Sequence, residues 1–117
     1  MKKWYEKTYW IRDPQGNKLG YCLAFTVGPE YENVLVGFSF CDTRYDKFNK
    51  EKALDLAEER AYHLADAMNV DKIMEKVPYK HRTDFLWFLD TCSRYFQDRE
   101  FPVWFTTLEL KDFIYES

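Results

Sequence analysis

The hydrophobic period of this chain changes between Gly37 and Ala61, and that change constrains the fold more than any other feature. GFSFC, from Gly37 to Cys41, alternates small and aromatic side chains with the period of two that marks a strand. After DTRYDKFNKE, the run KALDLAEERA sets Ala53, Leu54, Ala57 and Ala61 at helical spacing, continued by Leu64, Ala65 and Met68. Asn49 is placed to cap that helix, and Glu51 in its first turn suits the helix dipole. The helix is expected over about 50–68. Its alanine stripe implies a close approach to whatever it covers.

Two further strands precede this point. Residues 4–12 (WYEKTYWIR) and 19–27 (LGYCLAFTV) are rich in aromatic and β-branched residues, and Asp13-Pro14-Gln15-Gly16-Asn17 between them is a turn signal. With 34–41 (VLVGFSFC) as the third strand, the short connections imply an antiparallel meander. Registering Val27 against Val34 would gather Tyr21, Leu23, Phe25, Val27, Val34, Val36, Phe38 and Phe40 on one large apolar face. Gly20, Cys22, Ala24, Gly37, Ser39 and Cys41 would then share a small one.

Downstream, Val70–Lys76 reads as a short helix stopped by Pro78. A longer helix is expected over about 84–97, with Phe85, Phe88, Leu89, Cys92 and Phe96 on one stripe. Leu86, Trp87 and Tyr95 fall outside it, so this helix is either sandwiched in the fold or in contact with a second chain, and a homodimer stays open. Residues 101–106 (FPVWFT) suggest a fourth, short edge strand, and Thr106 with Glu109 forms a capping box for a last helix near 107–115. The expected architecture is α+β: a three-stranded antiparallel meander packed against three to four helices, in one domain.

Composition narrows function by exclusion. Aromatic residues make up 20% of the 117 positions (Phe 10, Tyr 9, Trp 4), more than a core of this size easily hides, so several rings are expected at the surface. The formal charge of -3, from 17 basic and 20 acidic residues, shows neither the basic excess of a phosphate-backbone binder nor the acidic excess of a DNA mimic. No run approaches the roughly 18 apolar residues that span a bilayer. The start, MKKWYE, lacks the apolar core of a signal peptide. Cys22, Cys41 and Cys92 form no CxxC, and reduced, mostly buried thiols in a cytoplasmic protein account for them.

Catalytic patterns are scarce. His63 and His81 lie in no HxxxH or HxE spacing, and the four glycines form neither GxxxxGK[ST] nor GxGxxG. A Cys41–His63 pair would have to assemble in space. Asp42, Asp46 and Glu51 offer carboxylates to a divalent cation, but the loop lacks the DxDxDG and twelfth-position glutamate of an EF-hand. Turn and cap roles, with Phe48 fastening the loop to the core, explain it more simply. No catalytic residue, metal or cofactor is assigned.

The pattern G-F-S-x-C-x(4)-D-x-F-x-K-x(7)-A-x-x-R-A runs through Gly37, Ser39, Cys41, Asp46, Phe48, Lys50, Ala57, Arg60 and Ala61. It resembles a group of small tailed-bacteriophage proteins whose strand ends near Ser-x-Cys, followed by D-x-F-[NS]-K and a helix closing on A-x-x-R-A. The resemblance covers about 25 residues, and relatives often carry Gly where this chain reads Lys52-Ala53. It implies a phage gene product in the bacterial cytoplasm. Small phage proteins without catalytic motifs commonly bind and inhibit a host machine, CRISPR and other defence systems included.

Two binding readings follow, with a carboxylate-metal enzyme around Asp42, Asp46 and Glu51 as a third and less favoured one. The leading one is a non-enzymatic protein that docks on a host protein through exposed rings, with Trp4, Tyr31, Tyr45, Trp87 and Trp104 as candidate contacts. The alternative is nucleic-acid binding through Lys47, Lys50 and Lys52, or through Lys80 and Arg82 beside Tyr79 and Trp87.

Overall fold

The turn at Asp13 sets the first hairpin. Its Oδ1 accepts the backbone N–H groups of Gln15 (3.0 Å) and Asn17 (2.8 Å), and its Oδ2 accepts the Asn17 side-chain amide at 3.1 Å. Gly16 supplies the left-handed backbone, φ +88°, that the turn requires. In the structure, a computed structural model describing residues 2–30, 33–41, 47–64 and 70–97, this turn joins strands β1 (Lys3–Arg12) and β2 (Lys18–Val27). β3 (Leu35–Phe40) follows, and the antiparallel order is β1-β2-β3. Helix α1 (Lys50–Leu64), α2 (Val70–Lys76), a 3-10 turn at Tyr79–His81 and α3 (Arg82–Gln97) complete the described elements. The α+β meander read from the sequence is therefore present. The expected edge strand at 101–106 and the helix near 107–115 lie outside the described residues.

The register of β2 on β3 differs from expectation by one residue. Phe25 faces Leu35, Leu23 faces Gly37, Tyr21 faces Ser39 and Cys22 faces Phe38. A one-residue slip exchanges the faces of a strand, so the single large apolar face does not exist. Large side chains of one strand instead sit beside small ones of the other, on both faces. Tyr21, Leu23, Phe25 and Leu35 share the first face with Gly37 and Ser39. Cys22 and Ala24 share the second with Val36 and Phe38.

The reason is that helices cover both faces. α1 lies on the first face with Ala53, Ala57 and Ala61 against the sheet. A Cβ at Gly37 would overlap the Ala57 carbonyl oxygen and stand 2.8 Å from both Ala61 N and Ala61 Cβ. Only glycine permits that approach, and it places β3's two small inward positions directly beneath the helix. Ser39 Oγ donates to the Ala53 carbonyl at 2.7 Å, Arg60 Nη1 donates to the Phe38 carbonyl at 3.2 Å, and Asn49 Oδ1 caps α1 by accepting the Lys52 N–H at 3.0 Å. Phe48 turns its ring edge to Trp10, with centroids 6.1 Å apart, fastening the loop as expected.

On the second face, Ile73, Met74 and Val77 close one end, and α3 contributes Phe85, Leu86, Leu89, Cys92 and Phe96. α3 begins at Arg82, slightly before the expected start, because the 3-10 turn after Pro78 feeds directly into it. Its wide apolar circumference is mostly sandwiched: Leu86 is fully buried and Tyr95 half-buried. Trp87 alone of the three off-stripe residues is exposed.

The Gly37 contact yields a direct test. Gly37→Ala should destabilise the fold by about 3 kcal/mol, the upper end for overpacking a close seam. Ser39→Ala, which removes one buried hydrogen bond, should cost about 1 kcal/mol. Urea midpoints read both, and equal stability of Gly37→Ala and wild type would contradict the seam.

Candidate functional site

Nucleophile and metal chemistry find no assembled group among the described residues. Cys22 and Cys92 are fully buried, and burial pushes both thiols far up, with the neighbouring Cys92 adding to the effect at Cys22. Neither forms thiolate at neutral pH. Cys41 is half-buried in a small cavity at the start of α1, whereas His63 lines another cavity at the end of that helix, so the two form no pair. No cluster of three His, Cys, Asp or Glu side chains occurs among the described residues. Glu51 is exposed on α1, and Asp42 and Asp46 lie outside the described residues.

His81 is buried for a structural purpose. Its imidazole stacks on Phe40 at 4.5 Å and 8° from parallel. Burial and then the Lys80 charge lower its basicity, while Asp84 opposes them.

The candidate rings divide sharply. Trp87 projects from α3 with 59% of its surface exposed. Trp4 is only half-buried, with the Lys2 ammonium 4.7 Å over its ring. Tyr31, Tyr45 and Trp104 lie outside the described residues. Tyr79, the ring expected beside Lys80 and Arg82, is 62% exposed, and Tyr9, which the sequence does not single out, is 44% exposed. Tyr9 belongs to the same strand face as the buried Ile11. Alternation predicts that it points inward, but helix cover stops short of it at the outer strand.

Tyr9 and Trp87 line one groove of about 360 Å³ between β1 and α3, together with Lys7, Thr8, Asp84 and Thr91. Its position follows from strand and helix geometry. β1 carries a bulge between Trp4 and Lys7, where Tyr5 adopts φ 51°, and this shift turns Lys7 and Tyr9 onto the face that α3 covers. Lys7 is held there, its ammonium 4.3 Å over the Tyr95 ring. α3 presents Asp84, Trp87 and Thr91 at i, i+3 and i+7, a single surface stripe. The groove thus offers the rings of Tyr9, Trp87 and Phe88, the hydroxyls of Thr8 and Thr91, and one charge of each sign.

The basic candidates separate as well. Lys47, Lys50 and Lys52 are exposed around the start of α1. Arg82 is occupied by the fold: its Nε donates to the Val77 carbonyl at 3.2 Å and its guanidinium lies 5.7 Å from the Tyr79 ring. Lys80 is exposed beside it, away from the Lys47–Lys52 group in the chain and on a different element. No described helix is long and apolar enough to cross a membrane. Comparison with protein-family models, curated proteins and solved structures gives no match.

His81 makes stability depend on pH in a defined direction. Its folded basicity is depressed, so the unfolded chain binds the proton more readily, and stability is lost as pH falls through the ordinary histidine range near 6.5. The thermal midpoint should therefore fall between pH 7 and pH 5. His81→Phe, which keeps a flat ring against Phe40, should flatten that dependence. An unchanged slope in the variant would assign the effect elsewhere.

Proposed function

We propose that this protein is a non-enzymatic binding protein whose β1–α3 face docks on a folded protein partner, with Trp87 as the central anchor and Tyr9 beside it. The observation that carries the reading is the exposure of Trp87 next to Tyr9 on an otherwise deeply packed helix. Leu86 and Phe88, its neighbours in the chain, are both buried, so α3 is rigidly held while Trp87 stands clear of the core. A large ring fixed in this way loses little conformational freedom on binding, and such rings dominate interface energetics. Lys7 and Asp84 at the groove suit a partner surface of mixed charge and help set its orientation.

The partner class is a host protein machine in the bacterial cytoplasm, and the activity is inhibition or modulation, anti-defence inhibition included. Support comes from the resemblance of Gly37–Ala61 to small phage proteins and from the buried state of Cys22, Cys92 and His81. These are the groups that would otherwise compete as chemical actors. A homodimer is the competing occupant of the same face.

Affinity capture from bacterial lysate, compared between wild type and Trp87→Ala, tests the reading. A stoichiometric partner should be retained by wild type and lost with Trp87→Ala, and its dissociation constant should rise by about 30-fold or more, the scale of an anchor residue losing roughly 2 kcal/mol. The variant's thermal midpoint should stay within a few degrees of wild type, because the ring is exposed. Retention of the partner by Trp87→Ala, or a dimer in solution dissociated by that substitution, would overturn the reading.

A further inference from the structure

A second surface lies around the outer edge of β3, remote in element terms from the β1–α3 groove. Two cavities open there, one of about 490 Å³ and one of about 130 Å³, and Phe40 lines both. The smaller carries Lys47 and Lys52, and the larger carries Arg60, His63 and Lys76. The α1 residues follow one stripe of the helix: Lys52, Leu56, Arg60 and His63 fall at successive spacings of four, four and three. That stripe runs about 16 Å from Lys52 to His63, at about 1.5 Å per residue. α2 ends at Lys76 and continues the row beyond it.

The charge lining the two cavities has one sign. No aspartate or glutamate lines either cavity among the described residues. Glu59 stands 4.0 Å from His63 on the exposed side, and that histidine is not counted as a phosphate contact. The cations of the two linings are Lys47, Lys52, Arg60 and Lys76. Arg60 is oriented by its 3.2 Å bond from Nη1 to the Phe38 carbonyl, which uses one of its five donors and keeps the guanidinium at the strand edge. Between the charges the surface is apolar, with Phe40, Leu56, Leu64 and Pro78. Asp55 and Glu58 on α1 belong to other stripes of the helix, whereas Glu59 falls on this one, outside both cavity linings, and faces His63.

The geometry points to a track for the backbone of single-stranded nucleic acid along α1 and the edge of β3, with Lys47, Lys52, Arg60 and Lys76 as its phosphate contacts. Cations spaced along one line match a repeating anion, and apolar surface between them accepts the flat faces of successive bases without reading their identity. One stripe of α1 serves, where the sequence suggested Lys47, Lys50 and Lys52 as a local cluster or Lys80 and Arg82 as a separate one. Lys50 falls outside the cavity linings, and Arg82 is engaged by Val77 and Tyr79. The site is independent of the Trp87 face, and neither proposal depends on the other.

Fluorescence anisotropy with a labelled 15-nucleotide dT strand, a length chosen to exceed the track, tests the assignment at 50 mM and 200 mM salt. Four phosphate contacts on a single strand imply a loss of affinity of about 50-fold between those two conditions. Lys52→Gln with Lys76→Gln should weaken binding and reduce the salt slope by roughly 1.4, about 0.7 for each cation removed. Both side chains are exposed, so the thermal midpoint serves as the check on folding. Lys18→Gln, which removes a cation that lies 4.4 Å over Trp10 on the opposite edge strand, should leave affinity and slope unchanged. Absence of binding at 50 mM salt overturns the proposal, as does equal binding by the double variant. Binding of a nucleoside monophosphate without binding of the strand would reduce the site to a small-anion pocket and overturn the track.

Discussion

Contact between Gly37 and the backbone of α1 is the constraint on which the rest of the architecture depends. With no side chain at that position, Ala57 and Ala61 descend onto β3 until a single added carbon would have no space. The close approach brings Ser39 within hydrogen-bond reach of the Ala53 carbonyl and lets Arg60 reach the strand edge at the Phe38 carbonyl. It also sets how far α1 lies over β2, where Phe25 meets the Tyr62 ring with centroids 5.7 Å apart. Lys3 extends the same contact to β1 through its 3.1 Å ion pair with Glu58. Being partly exposed, that pair adds little stability by itself.

Because one face receives a helix this closely, the sheet cannot segregate its large residues to the other. The observed register places Leu23 opposite Gly37 and Cys22 opposite Phe38, so each face alternates bulk and space. The second face is thereby deep enough to hold Phe85, Leu89, Cys92 and Phe96 of α3, all completely buried. Aromatic residues are absorbed on both sides, by Trp10 on Tyr21 and by Phe38 on Phe85 among others. Among the described residues, what is left at the surface is a small set: Tyr9 and Trp87 on one groove, and Tyr79 beside Arg82. The described aromatic residues therefore divide into two uses, most in a doubly covered sheet and a few outside it.

Legibility in the sequence varied with the range of the interaction. Strands and helices were readable because they rest on local periodicity and short-range signals: Asp13 to Asn17 for the hairpin, Asn49 for the start of α1, Pro78 for the end of the α2 segment. The β2–β3 register was misread because the sequence pattern of alternating residues is compatible with either pairing, and only the helix packed above Gly37 distinguishes them. Trp87 was legible as an off-stripe residue of α3, whereas Tyr9 was hidden by an alternation that normally means burial. Arg60 and Lys76 looked like separate surface charges, since their proximity to one cavity passes through β3 and the path between α1 and α2.

By itself, then, the sequence determined the identity and order of the three strands and three helices among the described residues, and the close alanine seam. Those properties follow from residue type and spacing along the chain. Tertiary structure alone decided which face each residue joins, which rings remain in contact with solvent, and which cations line up along the edge of β3. Register, exposure and charge alignment depend on how distant elements pack, and packing couples every strand position to a helix the local pattern does not contain.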